Sequence, residues 1–213
     1  MILYGYALSS ASYRVRIALA LKGLQVTSVL MDLRAGEQRL EEFLQINSQG
    51  FVPALTLDDG AVLTQSLAII EYLDEIHPEP PLLPQTPLGR ARVRALSLAI
   101  ACDVHPLNNL RVLQYLENDL KHDKATRETW YRHWVQLGFD ALERWLVRDG
   151  ATGRFCHGDA PGLADCVLVP QIFNAQRMDC RLDHVPTVMR VFENCMAEPA
   201  FSTTQPSACP DAA

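Results

Sequence analysis

The sequence predicts an α/β N-terminal domain, with helices laid over a small mixed sheet, followed by an all-α C-terminal domain. Three observations carry this. Residues 2–76 alternate short apolar runs of strand type with amphipathic stretches of helical period. Residues 77–87 hold five prolines, which neither a helix nor a central strand accommodates, so the stretch reads as an extended linker. Beyond it nearly every segment is helical in period.

In order, residues 2–8 read as a strand and residues 12–22 as a helix stopped by Gly23. Residues 25–31 form a second strand and residues 37–44 a short helix. Residues 52–57 and 61–64 are two strands joined by Asp58-Asp59-Gly60, a hairpin signal. Residues 66–76 are a helix with Ser66 as its N-cap. The order β-α-β-α-β-β-α is that of a thioredoxin-like domain, which places domain one at 1–77, the linker at 78–87 and the helical domain at 88–213. Within the latter, residues 90–122 are long enough for one helix bent near Pro106, or two. Helices follow at 124–147, 163–178 and 185–197. Residues 199–213 have no apolar period and are expected to form a loosely attached tail.

A net charge of −6 without a basic cluster argues against nucleic acid or an anionic membrane surface as partner. No basic n-region opens the chain, and no apolar run approaches the roughly 20 residues of a membrane span. Six scattered cysteines fit neither a zinc site nor a disulfide scaffold; they read as reduced thiols filling space in a cytoplasmic protein. No metal is implied.

The turn after the first strand, Ser9-Ser10-Ala11-Ser12, crowds hydroxyls at a helix N-terminus, where unpaired N–H groups and partial positive charge favour an anion. In a thioredoxin-like domain this is the place of a Cys-x-x-Cys. With serines there, a thiolate has to arrive on a ligand. A thiol of pKa about 8.5 is only a few per cent ionised at pH 7, and lowering that value by about two pH units takes roughly 2.7 kcal/mol. One hydroxyl hydrogen bond plus a helix N-terminus supplies about that. Simple capping is the alternative role, and it suits Ser12.

The run from Ser9 through Gly23 resembles the zeta class of glutathione transferases, the maleylacetoacetate (maleylpyruvate) isomerase family. Val52-Pro53-Ala54-Leu55, Gln65-Ser66-Leu67-Ala68, Leu82-Leu83-Pro84, His105-Pro106-Leu107-Asn108-Asn109, Leu163-Ala164-Asp165 and Asn174-Ala175-Gln176-Arg177 resemble it too, in its order. The resemblance implies the glutathione transferase fold, a homodimer, glutathione as cofactor and a small dicarboxylic substrate. It implies Ser9, then Ser10, as thiolate stabilisers. It also implies that Gln65 and Ser66 hold the γ-glutamyl carboxylate, and that Val52, before a cis Pro53, pairs its backbone with the cysteinyl part, helped by Gln49; a trans proline opening an edge strand is the alternative at Pro53. Asn108, Asn109 and His105 are implied to reach the ligand or the dimer interface, although a polar core contact is an equal reading of His105. Arg111 and Arg177 are implied to anchor carboxylates, as guanidinium groups donate two parallel hydrogen bonds. Asp165 is a structural helix-start residue.

Two positions depart from the family pattern: Ala11, where Cys or Thr is common, and Leu8, where Arg is frequent. The reaction implied is cis–trans isomerisation of maleylacetoacetate or maleylpyruvate. Transfer or dehalogenation of small haloacids, or a non-catalytic glutathione-fold binding role, are the alternatives.

Overall fold

The computed structural model describes residues 1–209. The chain divides into two compact units, residues 1–82 together with the segment from Ala197 onward, and residues 83–196.

In the first unit, β1 (Ile2–Gly5) lies parallel to β2 (Thr27–Leu30) and antiparallel to β3 (Ala54–Thr56), which pairs antiparallel with β4 (Val62–Thr64). The strand order is β2-β1-β3-β4. Side chains alternate across the sheet. Leu3 sits opposite Leu55 on the face toward α1 (Ser10–Leu21) and α3 (Ser66–Ile76), where Val15, Ile17, Ile69, Ile70 and Leu73 are fully buried. Tyr4 and Ala54 face the other way, onto Met31, Val52 and Phe43 of the short α2 (Glu41–Leu44); the Tyr4 and Phe43 rings stand 5.8 Å apart. The strands are shorter than their apolar runs. Val52 and Pro53 therefore precede β3 instead of opening it.

Lys22, just past α1, is buried, and its ammonium donates to Asp74 Oδ1 at 2.5 Å and to the carbonyls of His77 and Pro80 at 2.6 Å each. Asp74 Oδ1 also accepts from the Leu82 N–H at 2.8 Å, so one ion pair ties the proline-rich stretch to the helices before it.

The tail expectation is overturned for the described residues. From α9 (Pro199–Ser202) onward the segment is docked on α1: Phe201 is fully buried, the Tyr13 hydroxyl donates to the Phe201 carbonyl at 2.8 Å, and Arg16 Nε donates to the Thr204 carbonyl at 3.0 Å. The segment thus belongs with the first unit and not with the helical one. A single aromatic anchor has no period, and carbonyl acceptors leave no mark on composition. Residues 210–213 lie outside the described residues.

The second unit is helical: α4 (Pro87–Leu98), α5 (Leu110–Asn118), α6 (Lys124–Arg148), α7 (Leu163–Arg177) and α8 (Pro186–Met196). Helix α4 starts earlier than expected because Thr86 Oγ1 accepts the Gly89 N–H at 3.1 Å and Pro87 takes the first helical position, where its missing N–H costs nothing. A π-helical segment (Ala99–Val104) and a 3-10 turn (His105–Asn108) separate α4 from α5, so the stretch read as one bent helix or two is two. Helix α6 crosses the π segment at Gly138, where a Cβ would stand 2.2 Å from Val104 Cγ2.

Helix α7, through Val167, Val169 and Ile172, forms the buried centre of this unit. Its start is set by Asp165, as the sequence predicts. One carboxylate oxygen accepts the Gly162 N–H and the other the Cys156 N–H, both at 2.9 Å. Burial pushes the Asp165 pKa up, opposed by those same bonds. Burial also raises the Cys156 thiol well above its ordinary value, which makes it a poor nucleophile and a fitting space-filler.

Arg92 of α4 holds the loop after α6. It pairs with Asp149 and donates to the Cys156 carbonyl at 2.7 Å and to Thr152 Oγ1 at 2.9 Å. Its hydrogen bond, with that of the Ala151 N–H, holds the Asp149 carboxyl below its ordinary 3.8. A depressed carboxyl stabilises the fold above its unfolded pKa, and the contribution is lost as pH falls through the folded value. Asp149→Asn is therefore expected to lower the urea midpoint at pH 7, with the gap to the parent closing as pH drops below 3.8. Midpoints of both proteins measured from pH 7 to pH 3 check this; a constant gap would remove Asp149 ionisation as the cause.

Candidate active site

At the start of α1, Ser9 is the N-cap: its Oγ accepts the Ser12 N–H at 3.2 Å. A serine hydroxyl has one proton to donate, and this bond leaves it available. Ser9 is half-buried, so that proton can be offered to a ligand at the positive end of the helix. Ser10 is buried in the first turn. Ser12 does not cap. It is fully buried, its Oγ accepts the Tyr6 N–H at 3.4 Å and it lies against Gly5. The helix begins two residues before the point that apolar periodicity marks, which hands the cap to Ser9.

The second helix start is at β4–α3. Here Gln65, not Ser66, is the N-cap, and it makes no side-chain cap bond; Ser66 is the first helical residue and is buried. With no side chain closing it, the N-terminus of α3 keeps N–H groups for an anion. Gln65 has φ 68°, a left-handed conformation that costs a non-glycine residue about 1–3 kcal/mol. Its Nε2 donates to Gln49 Oε1 at 2.9 Å, joining the two glutamines that the resemblance singled out.

Gln49 sits in a loop fixed by Asn47, whose Oδ1 accepts the Gln49 N–H at 3.1 Å and whose Nδ2 donates to the Phe51 carbonyl at 2.7 Å. Gly50 is required there: φ is 63° and a Cβ would lie 2.9 Å from the Gln38 carbonyl oxygen. The loop ends in a cis Val52–Pro53 bond, as expected.

Periodicity missed one residue. Arg14 is 2% exposed, and its NH1 donates to Ser66 Oγ at 3.3 Å. The signal was present: Ser10, Arg14, Ile17 and Ala18 share the buried stripe of α1, so an arginine at that position points inward.

The remaining candidates lie in the second unit. Asn108 is buried and donates to the Tyr131 carbonyl at 3.3 Å. Asn109 is the N-cap of α5, its Oδ1 accepting the Arg111 N–H at 3.2 Å, and its amide meets His105 Nε2 at 3.4 Å. His105 opens a 3-10 turn and Asn109 is the residue that closes it, so the two side chains meet across that turn and not along a continuous helix. Arg111, in the first turn of α5, and Arg177, the last residue of α7, are both exposed. Arg177 lies near the Tyr131 phenol, whose pKa is pushed far up by burial and partly drawn back by that guanidinium.

Among the described residues no group of three or more His, Cys, Asp or Glu is arranged to hold a metal, and no helix is long and apolar enough to cross a membrane. Residues 3–81 match the glutathione S-transferase N-terminal domain. Over 213 residues the chain is 46% identical to maleylacetoacetate isomerase of Pseudomonas aeruginosa, covering 99% of this chain and 98% of that one. The chain belongs to the maleylacetoacetate isomerase family. Solved structures agree with membership of this family. A bacterial maleylpyruvate isomerase described as a zeta-class glutathione transferase superposes with a TM-score of 0.97 at 43% identity, each chain wholly covered. The maleylacetoacetate isomerase of Methylobacterium extorquens AM1, solved with malonate and glutathione bound, also gives 0.97, at 40% identity and full coverage of both chains. The fold of this maleylacetoacetate isomerase family member is therefore that of the glutathione transferases, from the sheet to α9.

Proposed function

We propose that the chain catalyses glutathione-dependent cis–trans isomerisation of maleylacetoacetate or maleylpyruvate, as a cytoplasmic homodimer. The observation that carries the reading is the Ser9 hydroxyl. It is held by the Ser12 N–H so that its proton is left to donate, at a helix N-terminus that carries no thiol of its own. The donors of the first unit fit glutathione: a hydroxyl for its sulfur, the Val52 main chain after the ordered 47–51 loop, and the uncapped N-terminus of α3 beside Gln65 and Ser66 for its γ-glutamyl carboxylate.

When bound, glutathione supplies a thiolate that adds to the conjugated cis double bond, leaves a rotatable single bond, and departs again to give the trans isomer. The chain's part is to lower the cost of that thiolate and hold the partners. Ser9 donates a hydrogen bond to the sulfur anion, with the α1 N-terminus and Ser10 behind it. Gln65 and Ser66 fix the far end of glutathione, with Gln49 bracing Gln65. Arg111 and Arg177, both at the surface, take the carboxylates of the acid through paired guanidinium hydrogen bonds. Asn108, Asn109 and His105 shape the turn that presents Arg111. The dimer reading rests on the family resemblance; on α4, Leu88 and Leu98 are exposed.

The test is the absorbance decay of maleylpyruvate and of maleylacetone, each with and without glutathione. Isomerisation that requires glutathione is expected. Glutathione binding without isomerisation would overturn the reading. Turnover of α-haloacids in its place would move the chain to dehalogenation, for which Ala11 leaves room beside the sulfur.

A further inference from the structure

We infer that Arg14 is a positioning residue for glutathione: it holds the Ser66 oxygen from below and so turns the Ser66 proton outward, toward the γ-glutamyl carboxylate. The inference rests on the glutathione site proposed above and adds to it a residue that does not touch the ligand.

A serine hydroxyl can cap, accept or donate, and which it does depends on what already occupies its oxygen. At the start of a helix its usual use is to bond local backbone groups. Here the Ser66 Oγ accepts from Arg14 NH1 at 3.3 Å, in a place where both residues are more than nine-tenths buried. Guanidinium has donors only and stays protonated, so this bond has one polarity. With a lone pair taken by the guanidinium, the O–H rotates away from it, at a helix start whose first N–H groups no side chain caps. The hydroxyl is thereby assigned as donor before any ligand arrives. Arg14 also adds positive potential beneath the same helix start, which favours a carboxylate over a neutral group.

Position 14 is reached from a different element than the one it serves. Arg14 rises from α1, whose N-terminus holds Ser9, and touches the helix start that holds Ser66. One side chain therefore spans the two ends of the proposed glutathione site. A shift of α1 that moves Ser9 also moves the donor under Ser66.

The experiment is a double-mutant cycle on glutathione affinity, read by titration calorimetry with glutathione and, as a probe without the γ-glutamyl group, cysteinylglycine. Arg14→Met, Ser66→Ala and the double variant are compared with the parent, and Arg14→Gln is run beside Arg14→Met in case the apolar replacement does not fold. Ser66→Ala is expected to weaken glutathione about tenfold, the factor for a lost hydrogen bond to a charged group, and to leave cysteinylglycine within twofold. Each Arg14 variant is expected to weaken glutathione five- to tenfold with Ser66 present and less than twofold in the Ser66→Ala background, because the residue acts through that hydroxyl. Equal losses in both backgrounds, or equal losses for cysteinylglycine, would mean that Arg14 only supports the fold, and would overturn the inference. If Ser66→Ala itself leaves glutathione affinity unchanged in the Arg14 parent, the site assignment fails and the inference with it, and this arm needs no Arg14 variant.

Discussion

Ser9→Ala is expected to lower kcat/KM for isomerisation about ten- to a hundredfold and to move the acid limb of the pH–rate profile upward by about one to two pH units. The hydrogen bond lost is one to an anion, worth about 1.5–3 kcal/mol, and each 1.4 kcal/mol is a factor of ten. The same change removes the N-cap bond to the Ser12 N–H, so thermal stability should fall by about 1 kcal/mol. The two effects separate experimentally. Ser9→Thr keeps the hydroxyl and should restore most of the stability, and its pH limb should return toward that of the parent. Loss of stability alone, with kcat and the pH limb unmoved, would leave Ser9 as a cap and shift the thiolate role to Ser10.

Lys22→Met is expected to have the largest effect on stability, a loss of about 3–5 kcal/mol in urea denaturation, the range for removing one partner of a buried ion pair. The three donors of the ammonium meet three acceptors, Asp74, the His77 carbonyl and the Pro80 carbonyl, and no part of the side chain is exposed. Methionine fills a similar volume but leaves a carboxylate and two carbonyls without their donor. Asp74 retains the Leu82 N–H, so Lys22→Met with Asp74→Asn should recover part of the loss, as the orphaned charge is then gone. A loss below about 1 kcal/mol would show that water replaces the ammonium readily, and that the pair behaves like a surface one.

Much of this was legible from periodicity and punctuation. The β-α-β-α-β-β-α order and the long helices α6, α7 and α8 follow from apolar spacing and stop residues. Much of what was not legible lies in contacts between groups far apart in sequence. The docking of Phe201 and Thr204 on α1 relies on carbonyl acceptors, which every residue has. The cap at Ser9 and the first-turn place of Ser66 differ from expectation by a residue or more, because helix ends are set by hydrogen bonds and not by apolar spacing. Of the candidate site, the serines and glutamines were singled out by motif resemblance; their mutual bonds, and the partner of Arg14, needed coordinates. Arg14 was obscured by a sound general rule, that arginines on helices face water, to which its place on the Ser10–Ile17–Ala18 stripe is the exception.

The return of the chain to α1 has a consequence for how the protein is made. The Tyr13 hydroxyl waits for a carbonyl 188 residues downstream. The sheet and helices that carry Ser9 and Ser66 are synthesised first, yet their packing is completed only when residue 201 has left the ribosome. The helical unit, by contrast, is contiguous and can close while synthesis continues. Nascent chains stalled before residue 199 should therefore present an N-terminal unit with an open flank along α1, a surface for a chaperone to cover until the last turn arrives.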